Sequence, residues 1–475
     1  MTVSRSATQH SMLIRRAQVF GGGHTDVRCT GGHIVECGTS LRPLPGEDDI
    51  DARGGWLLPG LHDHHIHLRA LAALQDSVPL GPERIVDLGG LIAELHRVDA
   101  QLPAGQWIRG IGYHESVAGS LNRRVLDRAL PGRPVRIQHR SGALWILNSA
   151  ACAQIDLDGC EVPGVERDAA GRLTGRLWRM DSWLGERIPS LPLDLAAVSD
   201  RAARYGITGF TDATPGLAQH EVTGLAAAVH DGRIVQRLHC MAPPATADPR
   251  VERFTLGPTK ILLDDTTLPA LDDLAGTIRD AHESGRPVAV HCVTRIQLVL
   301  TLAALDTVGS RPGDRIEHGA IVPDSVVDHL RAHALTVVTQ PHFPIERAVQ
   351  YARDVPEEDR PDLWRLGSLV KHGVAIAAGS DAPFGAPDPW RILAAATTRQ
   401  VNSGAGEAVP LLRALQMFFG RPDRPAVPRT LTPGVVADLT LLSASPQDIT
   451  AHPASGAELV AATIVGGRPV YLAAR

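Results

Sequence analysis

Along the chain from residue 58, short runs rich in Val, Ile and Leu alternate with longer stretches in which Ala, Leu and Arg recur at helical spacing. Strand patterns repeating between helical patterns predict βα units and a parallel sheet. Each apolar run closes on a polar residue. The runs lead into His65 and His67, Asp212, His239, Lys260, His291, His318, Gln340 and Asp381. Eight strands are thus expected. From Asp212 to His318 their ends fall about 20–30 residues apart, the period of an α/β fold of the (β/α)8 TIM barrel kind. In that fold functional groups gather at the C-terminal strand ends. An open doubly wound sheet shows the same alternation but gives no reason for so many chemistry-bearing residues at strand ends.

Two gaps break the period. About 140 residues separate the first run from the second, where about 30 suffice, so an inserted subdomain is expected over roughly 70–195. It has strand-like runs of its own, from Trp107 to Tyr113 and from Pro134 to Gln138. The seventh connection, 343–371, is charged and Pro-containing and suits a lid. Outside the barrel segment, 58–424, short β-like runs fill 12–57 and 425–475. Neither set is large enough to bury its own core, so the two are expected to join in one small β-sandwich. Residues 1–11 are polar and read as a disordered tail.

Composition narrows the class. Of 475 residues 44% are apolar and 21% charged, as in a soluble globular protein. A net charge of −5 gives no reason to expect a nucleic-acid or membrane-surface partner, which leaves a small-molecule substrate. Six cysteines are scattered without a CxxC pair, which suits reduced thiols, and the N-terminus lacks the apolar core of a signal peptide. A cytoplasmic location is therefore expected, and a homodimer is the default for such a chain.

The candidate chemistry starts at His65-Ile-His67, where a strand ends and its two-residue repeat places both imidazoles on one face. Two convergent imidazoles are half of a divalent-metal site. Lys260, His291, His318 and Asp381 supply the other half, each closing a strand-like run. Lysine is rare here: of 47 basic residues only Lys260 and Lys371 are Lys. Only an amine with an accessible neutral form can react with carbon dioxide, whereas guanidinium stays protonated. Carboxylated Lys260 would carry two anionic oxygens able to bridge two ions. Lys371 lies in a stretch without such chemistry. Asp381 also suits a helix cap, in Ser380-Asp-Ala-Pro383.

These residues resemble the metal-dependent amidohydrolase superfamily, and within it the YtcJ-like (amidohydrolase type 3) branch. The resemblance spans most of the chain from Met12. It rests on the run 58–68 (Leu-Pro-Gly-Leu-His-Asp-His-His-Ile-His-Leu), Arg315-Ile-Glu-His-Gly319, Gly379-Ser-Asp-Ala-Pro383, 394–399 (Ala-Ala-Ala-Thr-Thr-Arg) and 431–439 (Leu-Thr-Pro-Gly-Val-Val-Ala-Asp-Leu). It implies two divalent metal ions, usually zinc, with His65, His67 and Asp381 on one, His291 and His318 on the other, and carboxylated Lys260 between them. It further implies hydrolysis of an amide, carbamate or cyclic amide C–N bond by a metal-bridging hydroxide, with Asp381 moving the proton.

The chain departs from the family pattern in places that shape a substrate pocket. Arg295 follows His291 where an acid is common, Arg179 falls near a usual glutamate, and Ser141-Gly-Ala143 lacks a histidine. Arg295 or Arg179 can thus grip an anionic substrate through bidentate contacts, or both are solvated rim residues. His342, His114 with Glu115, and His239 are further substrate-binding candidates, while His62 and His64 read as supporting groups. Two alternatives stay open. One is a mononuclear deaminase, which tends to need a glutamate where Val293, Thr294 and Arg295 stand. The other is a catalytically inactive scaffold, which typically loses ligands that this chain keeps.

Overall fold

The computed structural model describes residues 10–74, 77–82, 84–188, 193–398 and 406–474. Residues 1–9 of the expected tail and Arg399 of the 394–399 run lie outside the described residues. Ser11, counted with the tail, instead opens a strand, Ser11–Val19. The chain divides into two compact units, Met1–Leu68 with Leu195–Arg475, and Arg69–Asp194.

The first unit carries the parallel strands. β1 (Leu61–Ile66), β2 (Ile207–Asp212), β3 (Arg237–Cys240) and β4 (Phe254–Leu256) form a sheet in the order β4-β3-β2-β1. β5 (Thr259–Ile261), β6 (Val288–Cys292), β7 (Arg315–His318), β8 (Thr336–Thr339) and β9 (Ala375–Ala378) follow one another in a second sheet. All these pairings are parallel. β1, β2 and β7 are buried along their whole length, as strands covered on both faces must be. The covering helices are amphipathic: Leu271–Glu283 buries Leu274, Ala275, Ile278 and Ala281 and begins on Asp272 and Asp273, which suit a helix N-terminus.

The parallel βα alternation expected of a TIM barrel is present, and among the described residues its strands run in two ladders, of four and five strands. Between β4 and β5 the chain passes Gly257 and Pro258, and proline has no N–H with which to continue a ladder. The sheet edges still approach each other. Gly257 N donates to Cys240 O at 2.7 Å, and Ala242 N to Pro258 O at 3.3 Å. On the other side, beyond β9, Asp381 N donates to His65 O at 2.7 Å and His67 N to Ala382 O at 2.9 Å.

The terminal segments join through shared ladders in one sheet. One eight-stranded sheet runs Arg468–Leu472, Val460–Val465, Leu439–Leu442, Trp56–Pro59, Ser11–Val19, His24–Thr30, His33–Gly38, with Asp48–Asp51 also on Ser11–Val19. Trp56–Pro59 is the reason. Leu57 pairs with Val19 on one side and Leu441 on the other, so both termini share its ladder. A bulge after Ile14, with Arg16 at φ 55°, bends the sheet, and Ile34 N reaches Val435 O at 2.8 Å. The enclosed core contains Met12, Ile14, Val27, Ile34, Leu57, Leu439, Leu441 and Ile464.

The second unit has its own six-stranded sheet, in the order Val165–Arg167, Leu173–Trp178, Leu144–Leu147, Val135–His139, Ile108–Tyr113, Val78–Pro79. Leu91 and Leu95 of the helix Leu88–Asp99 pack with Ile108, Tyr113 and Ile137 in its core. All six cysteines are unpaired thiols. Among the described residues, no helix is long and apolar enough to cross a membrane.

Candidate metal centre

Simple strand alternation does not place His65. Asp63 pairs with Phe210 and Ile66 with Asp212, so β1 takes three steps where β2 takes two. The extra residue is a bulge over His64–His65, a device that re-aims a side chain at a strand end. His65 and His67 then stand with ring centroids 5.4 Å apart. Asp381 arrives from beyond β9. Its Oδ1 lies 3.1 Å from His67 Nε2 and 3.4 Å from His65 Nε2, and its Oδ2 lies 3.9 Å from His318 Nδ1. Ligand atoms of His65, His67 and Asp381 all fall within 4.8 Å of one another.

Two of these residues hold the left-handed backbone that side-chain-bearing residues avoid: His318 at φ 70° and Asp381 at φ 53°. Such strain persists where surrounding structure over-determines it, commonly at functional sites. One source of that constraint is Gly379, where a Cβ would stand 2.4 Å from His65 N, so only glycine lets β9 come this close. His318 faces His65 at 4.7 Å and His291 at 4.6 Å, measured between ring centroids. The six residues singled out from the sequence thus include five that share contacts around Asp381. Lys260 joins them electrostatically, in the fields of Glu317 and Asp381.

The centre is short of protein partners in a way that suits cations. Lys260 Nζ and His65 Nε2 are both shielded from solvent and have no hydrogen-bond partner. Buried polar atoms are normally satisfied, and orphans call for an explanation. Burial pushes the Lys260 amine below its usual value, and burial with the nearby Lys260 charge lowers His65 to about 3. Burial opposes ionisation of Asp381, but His65, His67 and His318 outweigh it and hold the carboxyl below its ordinary range. With His65 and His318 biased towards neutral imidazole, Asp381 towards its carboxylate and Lys260 towards its neutral amine, these four are in the states that divalent-ion ligation requires. The residues present therefore fit a metal centre.

Sequence reasoning missed the groups that aim these ligands. Glu317 is fully buried and accepts a short hydrogen bond from His65 Nδ1, leaving Nε2 to point at Asp381. Arg315 neutralises Glu317 through Nε and, at 3.1 Å, through Nη2, while the same Nη2 donates to His64 O at 2.6 Å. Burial works against the Glu317 charge, yet Arg315, Lys260 and His65 keep it well below its usual pKa. Gln340 Oε1 sits 2.9 Å from His318 Nδ1, and Asp63 Oδ1 accepts from Ser380 N at 3.0 Å and His65 N at 3.1 Å. The signal was present: Arg315 and Glu317, two apart on a strand, share a face and carry opposite charge in an otherwise apolar run.

The remaining candidates scatter. The Arg295 guanidinium pairs with Asp359 at 2.8 Å and Asp362 at 3.2 Å, which ties it to the 343–371 connection. That connection is helical at Phe343–Glu346, Ala348–Asp354 and Leu366–Lys371, and Trp364 N also ties it to Ala320 O at 2.6 Å. His342 is buried beside Phe343, in the field of Asp381, with Glu346 Oε2 3.9 Å from its Nε2. His239 is held in the wall of the sheet by Thr255 Oγ1 at 2.8 Å. His62 is buried, bonded to Thr211 Oγ1 at 2.9 Å, with the His64 ring tilted against it at 4.5 Å between centroids. Arg179 and His114 belong to the second unit, where Arg179 N donates to Ala143 O at 2.7 Å.

Buried neutral imidazoles leave a pH signature. Burial lowers His65, His239 and His342 from 6.5 to about 3. Between those values the unfolded chain binds protons that the folded chain excludes. Stability therefore falls as pH drops from about 6.5 to about 3, by about 1.4 kcal/mol per pH unit for each imidazole. Denaturant midpoints of metal-depleted protein across that window check this, and a flat profile contradicts it.

Comparison with known proteins adds an independent line. Residues 48–471 match the sequence model of the "Amidohydrolase family". The chain is 24% identical to YtcJ of Bacillus subtilis (strain 168), provisionally named an amidohydrolase, over 90% of this chain and 91% of that one. It is also 24% identical to the N-substituted formamide deformylase of Arthrobacter pascens, over 89% and 90%. Among solved structures, an uncharacterized metal-dependent hydrolase from Pyrococcus horikoshii OT3 superimposes with a TM-score of 0.74 at 19% identity, covering 93% of this chain and 99% of that one.

Proposed function

Because this chain belongs to the amidohydrolase family, in its YtcJ-like branch, we propose that the centre around Asp381 hydrolyses a non-peptide C–N bond in a small molecule. The observation that carries the reading is the convergence of His65, His67 and Asp381 beside a shielded, unpartnered Lys260 amine. We read the two parallel sheets as the wall of one barrel, with the centre at the C-terminal ends of β1, β5, β6, β7 and β9.

In this reading His65, His67 and Asp381 would hold one divalent ion and His291 and His318 a second, and Lys260, as a carbamate formed by its neutral amine and carbon dioxide with loss of a proton, would be a further anionic ligand. Bound divalent ions supply Lewis acidity, polarising the substrate carbonyl and acidifying a water. Zinc suits these ligands. Asp381, ionised and backed by three imidazoles, takes the proton of the attacking water and returns it to the leaving nitrogen. Glu317 keeps the His65 ring turned so that Nε2, not Nδ1, faces the reaction. The buried setting excludes bulk water, which strengthens each of these electrostatic contacts.

The likeness to a formamide deformylase makes N-substituted formamides the first substrates to test, with N-acyl and cyclic amides next. Metal-loaded protein is expected to release amine from at least one such class. Absence of turnover across all three, alongside ammonia release from aminated heterocycles, overturns the reading in favour of a deaminase.

A further inference from the structure

The second unit contains a cluster that the chemistry above does not use. Ile108–Tyr113 and Val135–His139 run parallel, with Tyr113 opposite His139 in register. Their C-terminal ends therefore bring His114, Glu115 and His139 together. The C-terminal ends of parallel strands are where α/β sheets collect their binding groups. Candidate ligand atoms of the three residues all lie within 4.8 Å of one another.

The two histidines are built alike. Each opens a His-X-Ser turn whose serine anchors Nδ1. Ser116 Oγ lies 2.9 Å from His114 Nδ1, and Ser141 Oγ lies 2.7 Å from His139 Nδ1. In both, the serine backbone N–H donates to the same nitrogen at 3.1 Å, so Nδ1 accepts and Nε2 carries the ring proton in this structure. With Nδ1 anchored, Nε2 is the nitrogen each ring can present. The rings stand 5.9 Å apart at 29°, and His139 Nε2 meets Glu115 Oε2 at 3.0 Å. Neighbouring ligand atoms on a tetrahedral zinc are spaced on the order of 3.3 Å, given metal–ligand bonds of about 2.0–2.1 Å. His114 is buried, His139 is half-buried and Glu115 is exposed, so the cluster is shaped on one side and open on the other.

We propose that His114, Glu115 and His139 form a further divalent-cation site, of two imidazoles and one carboxylate, separate from the centre around Asp381. This donor set suits a borderline ion such as zinc, cobalt or nickel, with water completing the coordination. Coordination through Nε2 would shift the ring proton to Nδ1, which then gives up the serine backbone N–H it accepts in this structure and donates to the Ser116 and Ser141 hydroxyls. That is the hydrogen bond that ligating histidines normally make through their second nitrogen.

The test is a zinc titration of the metal-depleted full-length chain by equilibrium dialysis, with cobalt absorption as a second readout. Wild type is expected to bind one zinc more than His139→Ala. Glu115→Gln, a change at an exposed side chain, is expected to weaken that ion by about tenfold or more. Lys260→Ala should lose ions from the other centre and retain this one. Equal zinc stoichiometry in wild type and His139→Ala overturns the proposal, as does unchanged affinity at every site in Glu115→Gln.

Discussion

With asparagine at position 381, turnover falls by about two to four orders of magnitude, the range over which positioned acid–base groups contribute. The substitution is chosen because it separates two duties of one side chain. Asparagine keeps the shape and one oxygen near His65, His67 and His318, so much of the ligation survives. It cannot take a proton at either terminal atom. The loss should therefore appear in kcat more than in KM, and metal analysis should still find ions in the variant. A variant that turns over like wild type would show that another group moves the proton. His342, buried in the field of Asp381, would be the next residue to substitute.

Glu317→Gln is expected to show the second large effect, and it acts without touching substrate. Glutamine leaves the Arg315 guanidinium buried opposite a neutral amide, and breaking a buried pair from one side costs about 3–5 kcal/mol. It also weakens the hold on His65 Nδ1, and loss of such a supporting hydrogen bond lowers metal affinity by about 10–100-fold. Two measurements separate these effects: a denaturant midpoint without metal, and a competition titration for zinc at a temperature where the variant is folded. Full metal affinity in a folded Glu317→Gln chain would show that His65 is aimed by the bulge in β1 alone.

Much of the site is legible in the amino-acid sequence, for a physical reason. Candidate ligands at the ends of parallel strands leave one-dimensional marks: an apolar run, then His65-Ile-His67, or Val290-His291, or Gly379-Ser-Asp381. The scarcity of lysine singles out Lys260 in the same way. What stays hidden depends on three-dimensional irregularity. The bulge over His64–His65 and the left-handed turns at His318 and Asp381 break the alternation on which sequence reading relies. Glu317 looks like one more strand residue because its partners, Arg315 and His65, come from its own strand and from one 252 residues away.

The fold divides along similar lines. Strand positions from Asp212 to Asp381 are legible because βα units repeat locally. The strand order of the terminal sheet is not, since it turns on the pairing of Trp56–Pro59 with Leu439–Leu442, almost 400 residues away. The ion pairs of Arg295 are hidden in the same way, because Asp359 and Asp362 are more than 60 residues downstream.

Metal content per chain decides whether Lys260 is carboxylated and holds ions at the centre around Asp381. Protein grown with zinc and bicarbonate is compared with a Lys260→Ala variant. Both carry His139→Ala, which removes the proposed ion of the second unit from the count. About two ions per chain are expected with Lys260 present, falling to one or none without it. About one ion per chain, unchanged by Lys260→Ala, would contradict the carbamate-bridged centre and leave Lys260 an ordinary buried lysine.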